Sequence, residues 1–100
     1  MDKEVFLNVI KAYKEFNNNS NKVYDILHIS IMDTTLYKSF YTILKQFLIS
    51  NFNKDGVEWI EWYLFEHLQD PSLTAYDEND KEIKLDTDED FWNFIKTYDI

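Results

Sequence analysis

Apolar residues recur along the start of the chain at the spacing of a helix. Phe6, Val9, Ile10, Tyr13 and Phe16 fall on one face of residues 3–16, while Lys3, Lys11, Lys14 and Glu15 lie mostly elsewhere. The run Asn17-Asn18-Asn19-Ser20-Asn21 is expected to break this helix, because Asn and Ser side chains compete for backbone hydrogen bonds and favour turns. Residues 22–32 fit two patterns: Leu27, Ile29 and Ile31 alternate as in a strand, and Val23, Ile26 and Leu27 fit a short helix. One or two helical turns over 23–28, followed by an extended stretch, are the expectation.

Asp33 or Thr34 is placed to cap a second long helix, a side-chain oxygen accepting from an amide two or three residues on. Its buried stripe is expected to comprise Leu36, Phe40, Ile43, Leu44, Phe47 and Leu48, and it should end at 51–54. Asp55-Gly56-Val57-Glu58 opens the next helix, with carboxylates at the positive end of the macrodipole. Over residues 57–68 this helix carries apolar side chains nearly all the way round, as a helix buried or covered by a partner does. Asp70-Pro71 ends it, since proline disfavours helix in its predecessor.

Leu73-Thr74-Ala75-Tyr76 and Glu82-Ile83-Lys84-Leu85 flank a polar group at 77–81, which predicts a β-hairpin with a loop of about four or five residues. Thr87 then caps a last helix with Asp88, Glu89 and Asp90 in its first turn. Phe91, Phe94, Ile95 and Tyr98 form its inner face, and Trp92 lies to one side. The expected fold is α+β and mainly helical: four helices with one small β-hairpin before the C-terminal helix. The 100 residues suit one compact domain, 1–100.

Charge changes this picture more than size does. The net charge is -9, but residues 1–54 hold five acids and seven lysines, whereas 55–100 hold fourteen acids and three lysines. Asp77, Glu78, Asp80, Glu82, Asp88, Glu89 and Asp90 cluster in the hairpin and the start of the last helix. Such a patch repels nucleic acid and anionic membrane and attracts a basic surface. The chain has no arginine, the preferred bidentate reader of phosphate and guanine, so direct nucleic-acid binding is not expected. The same acids also suit a helix N-terminus and a soluble surface, so a purely solvating role stays open. Trp62, Phe65 and Trp92 are candidate apolar anchors beside the patch, Trp and Tyr being favoured at interfaces; as core residues they would serve equally.

Chemistry-bearing motifs are weak. Asp77 and Asn79 begin like a calcium loop, but Lys81 replaces an oxygen ligand and Glu82 stands where the turn needs glycine. His28 and His67 form no metal-binding spacing and are expected at the surface or at caps. Glu58 and Glu61 share a helix face, where a solvent stripe is the simpler reading than an acid–base pair. A metal-dependent enzyme on Glu58, Glu61 and His67 would require a bound metal. With one glycine there is no phosphate loop, and with no cysteine there is no thiolate nucleophile or disulfide. Neither enzymatic activity nor a cofactor or metal is expected. No run approaches the roughly 20 apolar residues of a membrane span, and residues 1–5 show no secretory signal, so a cytoplasmic location is expected.

Residue usage points to an AT-rich gene: Phe, Tyr, Met, Ile, Asn and Lys supply 46 residues, and Gly, Ala, Arg and Pro four. Gly56-Val57-Glu58-Trp59-Ile60-Glu61-Trp62-Tyr63, then Leu73-Thr74-Ala75-Tyr76-Asp77, Lys81-Glu82-Ile83 and the aromatic-rich residues 87–95 resemble small, acidic, uncharacterised proteins of tailed bacteriophages. The resemblance spans residues 34–95 and departs at Asp80, where such turns often carry glycine. It brings no catalytic residues. It implies a phage product acting in the host cytoplasm as an inhibitor of host defence; together with the acidic patch, the expected target is a basic surface of a host or defence protein, a nucleic-acid-binding surface being one candidate. A structural phage module that homodimerises through its aromatic helix is the alternative.

Overall fold

In a computed structural model, residues 1–27 and 35–99 are described, with side chains placed for 1–19 and 37–99. Helix α1 covers Lys3–Leu27, α2 Thr35–Asn51 and α3 Lys54–Trp62, the last continuing into a π-helical turn over Tyr63–His67. Strands β1 (Ala75–Tyr76) and β2 (Glu82–Ile83) precede α4 (Asp88–Ile95), which ends in a 3₁₀ turn over Lys96–Tyr98. The mainly helical α+β architecture with the hairpin before the last helix is as expected. His28, the extended stretch after it, and the caps Asp33 and Thr34 lie outside the described residues.

The expected break at 17–21 does not occur: α1 runs through the asparagines without interruption. Each Asn costs only tenths of a kcal/mol against Ala in a helix, and the run contains no Gly or Pro, so elongation of a formed helix carries through it. Asn18 and Asn19 are exposed and meet no crowding. On the inner face Phe6, Ile10 and Tyr13 are buried, and Phe16 stacks on Phe40 at 4.3 Å and 5°.

Helix α1 packs on α4, and α2 packs on α3. Leu44 and Leu48 carry α2 into the core, but Ile43, expected in the stripe, is 68% exposed. Helix α3 and, through Phe40, α1 cover a stripe of α2 narrower than its apolar pattern, which leaves Ile43 and Ile49 exposed.

Helix α3 begins earlier than its carboxylates suggest. Asn53 is the N-cap, its Oδ1 accepting from the Gly56 amide at 2.8 Å. Past Trp62 the backbone widens, Leu68 N–H donating to the Tyr63 carbonyl five residues back at 3.0 Å. The residues expected as α-helix to Leu68 therefore end in a π turn, which places Tyr63, Leu64 and His67 in the interior.

The hairpin pairs Ala75 with Ile83 and Tyr76 with Glu82 in antiparallel register. Its loop is tied by Asp77, whose Oδ1 accepts from Asn79 N–H at 2.8 Å and Lys81 N–H at 3.0 Å. Asp80, where glycine is common in similar turns, takes φ of 60°, a left-handed conformation that Asp tolerates better than most residues. Thr87 caps α4 through a reciprocal box: its hydroxyl accepts from Asp90 N–H, and the Asp90 carboxylate accepts from Thr87 N–H, each at 3.1 Å.

One contiguous core joins these elements, with Phe6, Ile10, Ile60, Leu64, Phe91 and Ile95 at its centre. Tyr63 and Phe91 stack at 4.0 Å and 4°. The chain ends are drawn together as well: Asn53 N–H donates to the Tyr98 carbonyl at 2.9 Å, and the N-terminal ammonium meets Asp99 at 3.1 Å.

Candidate acidic and aromatic interface

The acids expected to form one open patch divide into three groups. Asp88 accepts from Lys14 Nζ at 2.7 Å and from the Tyr63 hydroxyl at 2.6 Å, and Glu89 pairs with Lys3. Both salt bridges fasten α1 to the start of α4. Asp77 and Asp90 have their oxygens on backbone amides, in the loop and the cap. Glu78, Asp80 and Glu82 are exposed and make no ion pair among the described residues. Lys3 and Lys14 thus pair two of these seven acids.

The three anchor candidates separate too. Trp92 is 8% exposed and packs on Phe6 at 5.3 Å, so it is a core residue and offers no surface ridge. Phe65 is half-buried between Tyr13 at 5.8 Å and Tyr41 at 5.7 Å, holding α1 and α2 to the π turn. Only Trp62 shares a recess with the acidic loop. In the aromatic helix itself, Val57, Ile60, Tyr63 and Leu64 are buried in the chain's own core.

That recess, with a volume of 610 Å³, opens between α3, the hairpin loop and the end of α4. Its apolar walls are Trp59, Trp62, Tyr76, Phe94 and Tyr98; its polar rim is Asp55, Glu58, Asp77, Glu78 and Asn79. Trp59 stands perpendicular to Trp62 (5.7 Å, 89°) and to Phe94 (5.0 Å, 85°), so adjacent walls meet at right angles. No lysine lines it. Asp55 and Glu58 lie outside the acidic cluster visible in the sequence; their signal is their position four and one residues before Trp59.

Glu58 and Glu61, one stripe in sequence, diverge in surroundings. Glu61 is half-buried and accepts from Lys45 and, at 3.3 Å, from the Tyr41 hydroxyl, while Glu58 is exposed on the groove rim. The hydrogen bond to Glu61 raises the Lys45 pKa, with a smaller contribution from the field of Glu58.

His67, expected at the surface or a cap, is instead buried. Its Nδ1 lies 3.1 Å from the Leu73 carbonyl and its Nε2 3.3 Å from the Leu85 carbonyl, so it bridges the two ends of the hairpin. The π turn carries it inward, where its ring stacks on Tyr63 at 5.4 Å. Among the described residues no group of three His, Asp or Glu side chains gathers into a metal site, and no helix is long and apolar enough to cross a membrane.

Two core tyrosines make stability sensitive to alkali. Burial pushes Tyr13 up to about 12, aided by the nearby Tyr37, and burial followed by the Asp88 hydrogen bond raises Tyr63 further. A raised tyrosine pKa means that the folded state retains a proton the unfolded chain loses above about pH 10. Stability is therefore unaffected by these groups below that point and falls as pH rises through the folded values. Tyr13 alone withdraws about 2 kcal/mol by about pH 12. The urea midpoint should hold to about pH 10 and then fall, with tyrosinate absorbance appearing as the chain unfolds. A midpoint unchanged at about pH 12 contradicts the assignment.

Compared with known protein families, with curated proteins and with solved structures, the chain matches none of them.

Proposed function

We propose that the chain is a small acidic interaction protein of phage type, without enzymatic activity, that binds and inhibits a basic surface of a host or defence protein. The carrying observation is the set of hairpin carboxylates Glu78, Asp80 and Glu82, exposed and without an ion pair among the described residues, with Glu78 on the rim of the aromatic recess. Asp88 and Glu89 leave the partner-binding set, because α1 already pairs them. Charges on the loop and the α3 rim act within a Debye length of about 8 Å, and so attract a cationic face together. A surface that normally holds nucleic acid is the fitting target, since it presents closely spaced positive charge.

The test is capture from a bacterial extract by the wild type and by the Glu78→Lys, Glu82→Lys double variant. Wild type should retain basic proteins that DNA displaces, and should release them near 0.5 M salt, where the Debye length falls to roughly 4 Å. The double variant, altered only at exposed hairpin positions, should retain none of them. Equal capture by the two chains, or capture indifferent to salt, overturns the reading.

A further inference from the structure

The recess beside the acidic loop has a more specific character than the patch as a whole. Trp59, Trp62 and Phe94 present faces and edges at right angles, and Tyr76, 55% exposed, rises from β1 on the opposite side. A cation over such rings is attracted by their negative faces, most strongly by Trp. Asp55, Glu58 and Glu78 stand at the rim with no ion pair among the described residues, so an entering cation displaces no internal partner. The 610 Å³ volume exceeds what one small ammonium fills and accommodates a side chain with the backbone that carries it.

We propose that this groove docks a lysine-bearing segment of a protein partner, its ammonium group lying between the Trp59–Trp62 corner and Tyr76 and countered by Glu58 and Glu78. The occupant is chosen by charge complementarity: walls of aromatic carbon suit the lysine methylenes, and the rim suits the terminal charge. The inference rests on the proposed capture of a basic surface and says where on the chain that surface is gripped.

The experiment titrates N-acetyl-tetralysine amide into the full chain and follows indole N–H resonances. Trp59 and Trp62 should shift, and the buried Trp92 should stay still. Tyr76→Ala, at an exposed position, should weaken the peptide about two- to fivefold, the range of one exposed cation–π contact. Glu58→Gln should weaken it and steepen no salt dependence, whereas the fully lysine-acetylated peptide should not bind. Peptide affinity lowered by the Glu78→Lys, Glu82→Lys double variant but untouched by Tyr76→Ala, with both indoles silent, overturns the groove and leaves the acidic surface standing. Loss of every response, including wild-type capture, removes both. Spermine, a free polyamine of equal charge, binding as tightly as the peptide overturns the assignment to a protein segment.

Discussion

Phe91→Ala is expected to lower stability by about 3–5 kcal/mol, the usual cost of removing a buried aromatic ring. Phe91 is fully buried, parallel to Tyr63 at 4.0 Å and 6.1 Å from Phe6, so it is the contact through which α1, α4 and the π turn meet. The vacated space cannot readily collapse. Tyr63 is held from its far end by the 2.6 Å bond to Asp88, which Lys14 in turn fixes at 2.7 Å. A chain of this size has roughly 5–15 kcal/mol in total, so the variant should be largely unfolded in low urea. Ile43→Ser, at a 68% exposed site, should shift the urea midpoint little and serves as the matched control. A Phe91→Ala midpoint close to wild type contradicts the central place given to this stack.

Local chemistry made much of the fold legible. Thr87 before Asp88-Glu89-Asp90 carries its own instructions, because cap and box act within four residues. The hairpin is readable for the same reason: strand alternation and loop chemistry are local, and Asp80 shows that a non-glycine residue can hold the left-handed turn position. The failures come where competing local preferences are small. Asn17 to Asn19 look like a stop, but their helix penalties are only tenths of a kcal/mol and the segment continues as helix. The π turn has no sequence signature at all. It appears where Tyr63, Leu64 and His67 all turn inward, and with it the burial of His67 became invisible in advance.

The site was half legible for a related reason. Sign and position along the chain gave the acidic C-terminal half, yet the pairing of Lys14 with Asp88 joins residues 74 apart and is set by how α1 lies on α4. Sequence therefore overstated the open patch. It understated the groove, because Trp59 on α3 and Phe94 on α4 become neighbours only through packing. Of the seven acids in the expected patch, Glu78, Asp80 and Glu82 stay exposed without an ion pair among the described residues, and Glu78 lies beside the aromatic corner. A corner of that kind discriminates by shape as well as by charge, whereas a diffuse acidic face attracts any cation.

Gly56 sits beneath that corner and gives the second large effect. Helix propensity alone makes Gly56→Ala favourable by about 1 kcal/mol. Packing reverses the sign. A Cβ at residue 56 would lie 2.7 Å from the Tyr98 Cβ, 3.2 Å from the Phe52 Cβ and 3.2 Å from the Tyr98 carbonyl oxygen. The 3₁₀ turn cannot simply retreat, since the Tyr98 carbonyl accepts from Asn53 N–H and Phe52 bridges to Asp99. Gly56→Ala should therefore destabilise by about 1–2 kcal/mol and Gly56→Val, which carries two methyl groups on that Cβ, by about 3 kcal/mol or more. Because Tyr98 forms one groove wall, the Ala variant should also weaken tetralysine while remaining folded, a coupling that Phe91→Ala is too damaged to report. Thermal melts and peptide titrations of the two Gly56 variants decide it. An alanine variant more stable than wild type would show that α3 and the 3₁₀ turn stand further apart than 2.7 Å of added carbon allows, and the groove would lose the wall that Tyr98 supplies.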